Sequence, residues 1–313
     1  MTQATIGAAL AGGTTTRRAP SFKLGARSGR WKSYWLVLPA FALYAAFMLW
    51  PIGQTVWLSL TSWNGLSLSP TWVGLENYQR LIGDERFFAS LGNNLLWVMG
   101  SWLAQGLGLL LAAILSASWI RGRTFFRTVI FIPVTMSLVI VGIVWDQIYQ
   151  PNTGLLNSGL AAIGLDPLTQ GWLAQPDTAM SAVIATANWT YYGFAMVILL
   201  GGMQNIDPNL YEAASLDGAG AWARFRHITV PGIQNQITLL LVISFINTLK
   251  TFDLVYVMTN GGPGTATEVV AYYIYALAFV TNQVGYAASA AVVLTVIILI
   301  ITAVFLRLRE KES

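Results

Sequence analysis

Ala287-Ala-Ser-Ala-Ala-Val-Val-Leu-Thr-Val-Ile-Ile-Leu-Ile-Ile-Thr-Ala-Val-Phe-Leu306 runs for twenty residues without a charged side chain, and Arg307 closes it. A bilayer core about 30 Å thick takes about 20 mostly apolar helical residues to cross. In water such a segment has no polar face to present. In lipid, a helix satisfies all its own backbone hydrogen bonds. The rest of the chain has the same character: 55% of its 313 residues are apolar and only 10% charged. Soluble domains carry about 25% charged residues, so a compact water-soluble fold is excluded. The mean hydropathy of +0.59 agrees.

Five further runs of spanning length occupy residues 34–60, 91–119, 129–148, 179–203 and 236–258. With 287–306 they predict an all-α polytopic membrane protein of six transmembrane helices. The first two runs exceed the bilayer thickness and are expected to tilt or extend beyond it. Pro51 is expected to kink the first span or end its membrane portion. A seventh apolar run, 269–280, would reach only about 18 Å as a helix. It is expected as a helix lying at the outer face.

Charge placement orients the bundle. Arg17, Arg18, Lys23, Arg27, Arg30 and Lys32 precede the first span; Arg121, Arg123 and Arg127 follow the second. Arg224 and Arg226 follow the fourth, and Arg307, Arg309 and Lys311 follow the sixth. These all fall on one side of a six-span chain, against Arg80 and Arg86 on the other, with Lys250 inside a span. Cationic loops stay in the cytoplasm, so both termini are expected there. A seven-span reading would export the basic C-terminus. Arg17-Arg18 before an apolar stretch has the look of a twin-arginine signal, but the apolar run continues too long for a cleaved leader. The expected organisation is a basic cytoplasmic tail over 1–33, a permeating domain over 34–306 and a short cytoplasmic tail over 307–313. Residues 2–16, rich in Ala, Gly and Thr, are expected to be disordered.

The connection between the fourth and fifth spans, within 204–231, reads Asn205-Ile-Asp-Pro-Asn-Leu-Tyr-Glu-Ala-Ala-Ser-Leu-Asp-Gly-Ala-Gly-Ala-Trp-Ala-Arg-Phe-Arg-His-Ile-Thr-Val-Pro231. Asp207 is a good N-cap and Pro208 suits the first helical position. Residues 210–216 are expected to be helical, with Gly218 supplying the left-handed turn that ends them. A second helical stretch over 221–230 follows, and Pro231 is expected to start the next span. Two readings fit these paired short helices: a docking element for another protein, or an interfacial helix resting on lipid. Lipid-resting helices carry a broad Lys/Arg face, which 210–217 lacks, and Ala213 and Ala214 allow close backbone approach. Docking is therefore favoured.

Glu212-Ala213-Ala214, Gly218 and Ile228-Thr229-Val230-Pro231 resemble the EAA motif of permease subunits of bacterial ATP-binding-cassette (ABC) importers. In that pattern Glu-Ala-Ala, three residues and Gly precede nine residues and Ile-x-Leu-Pro; Val230 replaces Leu. Thr251-Phe-Asp-Leu-Val-Tyr-Val-Met-Thr-Asn-Gly-Gly-Pro-Gly-Thr-Ala-Thr-Glu268, followed by Tyr272, Tyr275 and Ala278-Phe279, resembles the first permease of maltose- and glycerol-3-phosphate-type carbohydrate importers. Val73-Gly-Leu-Glu-Asn-Tyr78 has the same flavour. The resemblance implies the type I importer permease fold, in a bacterial cytoplasmic membrane, without the extra spans of the maltose type. It implies a coupling helix, carrying Glu212, Ala213, Ala214, Ser215, Asp217 and Gly218, seated on an ATPase. The implied partners are a second homologous permease in a heterodimer, two ATPase subunits, an external solute-binding protein and a sugar-like cargo, with no role for nucleic acid.

The chain has no Gly-Lys pair, so it lacks the P-loop that cradles phosphates. ATP and Mg are therefore expected on the partner ATPase, with no cofactor, metal or catalytic residue here. One His and no Cys exclude His-Glu-x-x-His and thiolate chemistry; His227 reads as a solvated loop residue. For a hydroxyl-rich cargo, two spans offer polar and aromatic stripes. Ala187, Thr190, Tyr191 and Phe194 share a face of the fourth span, with Asn188 and Trp189 adjoining. Ser244, Asn247, Thr248 and Thr251 share one of the fifth. Such residues face a bundle interior, where they either bind cargo or bridge helices. Lys250 and Asp253, three apart, are expected to form an internal ion pair; the alternative has Lys250 attract an anionic cargo such as a phosphorylated polyol. Asp146 is expected at the outer end of the third span. An ion-coupled secondary transporter would need a relay of buried acids, and an intramembrane enzyme a paired acid–base site. The chain offers neither.

Overall fold

The computed structural model describes residues 30–117 and 120–310, and it divides into two units, one ending at Pro51 and one starting at Ile52. Most of the N-terminal tail, the C-terminal Lys311 and the expected end of the second span at residue 119 lie outside the described residues.

Helix α1 (Arg30–Tyr44) passes through a π turn (Ala45–Leu49) into α2 (Trp50–Ser59). Pro51 therefore does not end the helix. A proline ring collides with the carbonyl four residues back. The widened turn, in which Trp50 N–H reaches the Ala45 carbonyl, re-routes the backbone bonding just before it. The same device recurs before Pro231, where a π turn over Phe225–Thr229 carries Val230 N–H to the Phe225 carbonyl.

From Ile52 the chain makes a small antiparallel hairpin, β1 (Thr61–Ser62) and β2 (Thr71–Trp72), then α3 (Glu76–Ile82) and the long α4 (Glu85–Ser116). Asp84 caps α4 by accepting from the N–H groups of Arg86 and Phe87. It also accepts from the hydroxyls of Tyr273 and Tyr286, at 2.7 and 2.6 Å. Burial alone would raise its pKa, but these four donors outweigh it and hold the carboxyl below its ordinary value.

The expected third span is broken. Helix α5 (Arg123–Phe131) runs into a 3₁₀ turn (Ile132–Thr135), and the chain turns 98° before α6 (Leu138–Ile148). Pro133 removes a donor, and Met136 and Ser137 are extended, so no straight rod over 129–148 forms. Helix α7 (Leu155–Ala162) leads to α8 (Pro176–Met203), the fourth span nearly as expected. After α9 (Pro208–Leu216), α10 (Ala221–Arg224) and α11 (Val230–Gly232) comes α12 (Gln234–Leu249), bent 64° from the helical stretch before it. Pro231 thus precedes the bend instead of opening the fifth span.

That span also stops early. The chain leaves the helix at Lys250–Phe252, with Phe252 at φ −141°, and resumes as α13 (Asp253–Met258). Helix α14 (Val270–Tyr275) continues as a π turn to Val280, and α15 (Val284–Glu310) is the sixth span. The 270–280 helix is too short to cross, as expected. One side of it packs inward, where Val270, Tyr272, Tyr273, Ala276 and Leu277 are buried, while Phe279 and Val280 at its end are exposed. Among the described residues, four helices and two bent pairs have the length and composition of spans.

Helices α4 and α8 hold the second unit together. Gly100, Ala104, Gly108 and Ala112 recur every fourth residue along α4, and Ala104, Gly108 and Ala112 are buried. A Cβ at Gly108 would meet Ala195 Cβ at 2.6 Å and the Met196 nitrogen at 2.8 Å. Small residues at this spacing let two backbones approach within a membrane, where close packing replaces the hydrophobic drive.

Candidate functional site

Two regions carry the residues singled out from the sequence. The first is the turn after α8. Asp207 caps α9 with a 2.9 Å bond from Asn209 N–H, and Pro208 takes the first helical position. Gly218, at φ +77°, makes the left-handed exit, and Ala219 N–H returns to the Ala214 carbonyl at 2.8 Å. The turned-back chain is pinned to α9 twice, by Tyr211 and Thr229 hydroxyls at 2.9 Å and by Arg224 donating to Ser215 Oγ at 2.8 Å. Between these ties Glu212, Ala213, Ser215, Asp217 and Gly218 are exposed and Ala214 is half-buried. Leu210, Leu216 and Trp222 are exposed beside them, Leu216 at 90%. Lipid-resting helices carry a broad Lys/Arg face, which α9 lacks, although Arg224 and the exposed Arg226 stand on the stretch that turns back beside it. His227 Nδ1 lies 2.9 Å from the Ala223 carbonyl, and the residue is exposed.

The second region is a cavity of ≈ 390 Å³ walled by α4, α8, α12 and the two breaks. Of the residues expected to line a passage, Ala187, Asn188, Tyr191, Phe194, Ser244, Asn247, Thr248 and Thr251 border this cavity. Trp189 and Thr190 lie outside its lining. Trp189 packs edge-on against Trp145 at 5.6 Å, and Thr190, fully buried, donates to the Thr186 carbonyl within its own helix. Thr251 reaches the wall although it has left α12, because the break redirects the chain around the cavity.

Bridging and lining coexist in the same side chains. Asn188 donates to the Gly100 carbonyl at 3.0 Å, and Ser244 shares a 2.9 Å bond with Ser101. Both pairs tie neighbouring helices to α4 while their remaining polar surface meets the cavity. Trp97, Ser101 and Gln105, at four-residue spacing on α4, also line it and were not anticipated. The signal was available: polar residues at helical spacing in an apolar run, as in the other two spans. Gln105 Oε1 is buried without a hydrogen-bond partner among the described residues.

Lys250 and Asp253 both face the cavity. The expected ion pair between them does not form: the only ion pair among the described residues joins Arg86 to Glu268. Breaking the helix between them removes the three-residue spacing that would have brought them together. Glu268, 2% exposed, accepts from Arg86 Nε and Nη2 at 2.9 and 2.6 Å and from Ser90 at 2.9 Å. Asn93 donates to the Glu268 carbonyl, and Asn94 both donates to the Thr248 carbonyl and accepts from Val270 N–H. This network, invisible as a unit in the sequence, fastens the Gly261–Glu268 turn to α4.

Residues 95–311 match the family of binding-protein-dependent transport system inner membrane components. The chain is 40% identical over 268 residues to a probable ABC transporter permease, YurN, of Bacillus subtilis, covering 85% of this chain and 91% of that one. It is 34% identical to the diacetylchitobiose uptake system permease NgcF of Streptomyces coelicolor, over 84% of this chain and 77% of the relative. The structure resembles a chain of the bacterial alginate ABC transporter crystallised with an alginate pentasaccharide-bound periplasmic protein. That match has a TM-score of 0.76 and 26% identity over 88% of this chain and 92% of that one.

Proposed function

This chain belongs to the binding-protein-dependent transport system inner membrane component family, and from that premise we propose how it works. It is a multi-pass permease subunit of an ABC importer for a sugar or oligosaccharide, not an enzyme. We propose that it forms half of the passage, with a second homologous permease forming the other half in a heterodimer. Two ATPase subunits supply ATP and Mg chemistry, and an external binding protein delivers cargo. Both termini and the α9 turn face the cytoplasm.

One observation carries the reading: uncharged polar groups and aromatic faces from three helices converge, together with Lys250 and Asp253, on one cavity. Asn188, Ser244, Asn247, Thr248 and Thr251 offer hydroxyl-matching donors and acceptors, and Tyr191 and Phe194 offer faces for a sugar ring. Glycerol-3-phosphate or another polyol is the second cargo class, favoured by Lys250 in the wall, which has no ion-pair partner among the described residues.

The α9 turn supports the coupling role because Glu212, Ala213, Ser215, Asp217 and Gly218 are exposed, with Ala214 half-buried, on an elbow tied by two side-chain hydrogen bonds. A Cβ at Gly218 would meet nothing within 4 Å, so its replacement acts through the left-handed backbone alone. Gly218→Ala should cost about 1–2 kcal/mol of elbow geometry. Uptake should fall while the chain remains in the membrane; Gly218→Pro should abolish uptake and leave ATP hydrolysis uncoupled. The direct test is extraction of the tagged chain in mild detergent. Recovery of the chain alone, still able to accumulate sugar in liposomes, would refute the assembly.

A further inference from the structure

Helix α5 and the turn after it have two unlike sides. Phe125, Val129 and Ile132 recur at i, i+4 and i+7 and are 68%, 46% and 49% exposed. Arg123, Arg127 and Ile130 recur at the same spacing on the opposite side, and all three are half-buried. That side faces α8, because the Ile130 carbonyl stands where a Cβ on Gly193 would go. Arg121 is exposed just before Gly122, whose φ of +75° turns the chain into the helix. Three cations thus fall within seven residues at one end of α5.

Nothing on the chain neutralises them. The sequence carries no Asp or Glu between Arg86 and Asp146, and none of the three arginines pairs with a carboxylate among the described residues. Arg123 Nε donates to the Ile120 carbonyl at 3.3 Å. Arg127 Nε is buried with no hydrogen-bond partner among the described residues. Two like charges one turn apart repel, and a partly buried cation is costly without a counter-ion. A phosphodiester matches the forked donors of a guanidinium. Basic pockets between membrane helices at the cytoplasmic side hold such headgroups. A carboxylate on another subunit would answer the charge alone. A phospholipid answers both sides of the helix, its phosphate meeting the arginines and its acyl chains the Phe125, Val129 and Ile132 stripe.

We propose that Arg121, Arg123 and Arg127 bind the headgroup of an anionic phospholipid at the start of α5. The phosphate holds the first half of the broken span against α8. Because α5 leads through Pro133 to Val134 and Leu138 of the cavity wall, the lipid also steadies that wall. The site goes beyond the import reading and takes from it only the orientation that puts the start of α5 at the cytoplasmic surface.

The test uses the full chain with its co-purifying subunits in mild detergent. Native mass spectrometry follows the binding of dioleoyl phosphatidylglycerol and dioleoyl phosphatidylcholine, which share acyl chains and differ in charge. The wild type should bind phosphatidylglycerol more than about tenfold tighter. Arg121→Gln, Arg123→Gln and Arg127→Gln should each weaken it about fivefold, and the corresponding Lys variants should keep most of the affinity. Arg121 is exposed, so its variant carries the test should a half-buried position fail to fold. Arg226→Gln, which removes an equal charge from the stretch beside α9, should bind like the wild type. Equal binding of the two lipids, or Gln variants that bind like the wild type, overturns the site. So does an equal loss in Arg226→Gln, which would mean diffuse attraction. Displacement of the lipid by inorganic phosphate at constant ionic strength would mean a soluble-anion site and overturns it too. Gln variants that lose a subunit while lipid binding persists would assign the arginines to a partner's carboxylate instead. None of these outcomes touches the import reading, which stands or falls on co-purification and uptake.

Discussion

Gly193 and Gly201 both lie on α8, and replacing each by alanine is the same chemical change with opposite expected results. At Gly193 the Ile130 carbonyl oxygen of α5 stands where a Cβ would go, with the Ile130 carbonyl carbon 2.8 Å away and Phe131 Cα at 3.2 Å. At Gly201 nothing lies within 4 Å. Alanine gains about 1 kcal/mol over glycine in a helix interior. Gly201→Ala should keep that gain. At Gly193 the obstacle is main chain, which cannot rotate away, so overpacking costs about 3 kcal/mol, the upper part of its usual range. The two variants should therefore differ by about 3 kcal/mol, Gly193→Ala falling about 2 kcal/mol below the wild type. Gly108 and Gly106 on α4 form a second matched pair, the former against Ala195 and Met196 and the latter with no neighbour within 4 Å. Thermal unfolding in one detergent at a fixed scan rate, with tryptophan fluorescence as the signal, reads the difference as several degrees. Because α5 leads into Val134 and Leu138 of the cavity wall, Gly193→Ala should also lower uptake. Equal midpoints for Gly193→Ala and Gly201→Ala would show that α5 and α8 are not in backbone contact, and the packing argument would fail.

The Arg86–Glu268 pair is unequally buried, 44% against 2% exposed, so its two halves should not be equivalent. Arg86→Met strands a buried carboxylate and should cost about 3 kcal/mol, whereas Glu268→Gln leaves a solvent-reachable guanidinium and should cost roughly half as much. The double variant should recover part of the Arg86→Met loss, and additive losses in the same melting assay would count against a coupled pair. For Asp84, the folded pKa lies below its ordinary value. Its stabilisation is thus complete above about pH 4, the usual carboxylate value, and disappears as pH falls through the lower folded value. Melting points of wild type and Asp84→Asn should converge on acidification; a constant gap down to pH 3 would exclude the capping account.

Much of this protein follows from local rules acting on the chain. Lipid cannot hydrogen-bond a backbone, so runs such as 287–306 must be helices whatever surrounds them. The Asp207 cap, Pro208 and the left-handed Gly218 are decided within a few residues, and α9 formed as its sequence demands. Family membership was legible for the same reason, since its motif sits in one contiguous loop. The breaks in the third and fifth spans were not legible. Hydropathy registers only whether a residue tolerates lipid, and 129–148 and 236–258 tolerate it whether straight or broken. Packing against α8 and α4 decides their course. The cavity is likewise a meeting of residues far apart in the chain, Ser101 with Ser244 and Asn188 with Gly100. Periodicity within one helix can say that Thr190 and Tyr191 lie on a polar face. Only the neighbouring helices decide that Tyr191 opens to the cavity while Thr190 bonds within its own helix.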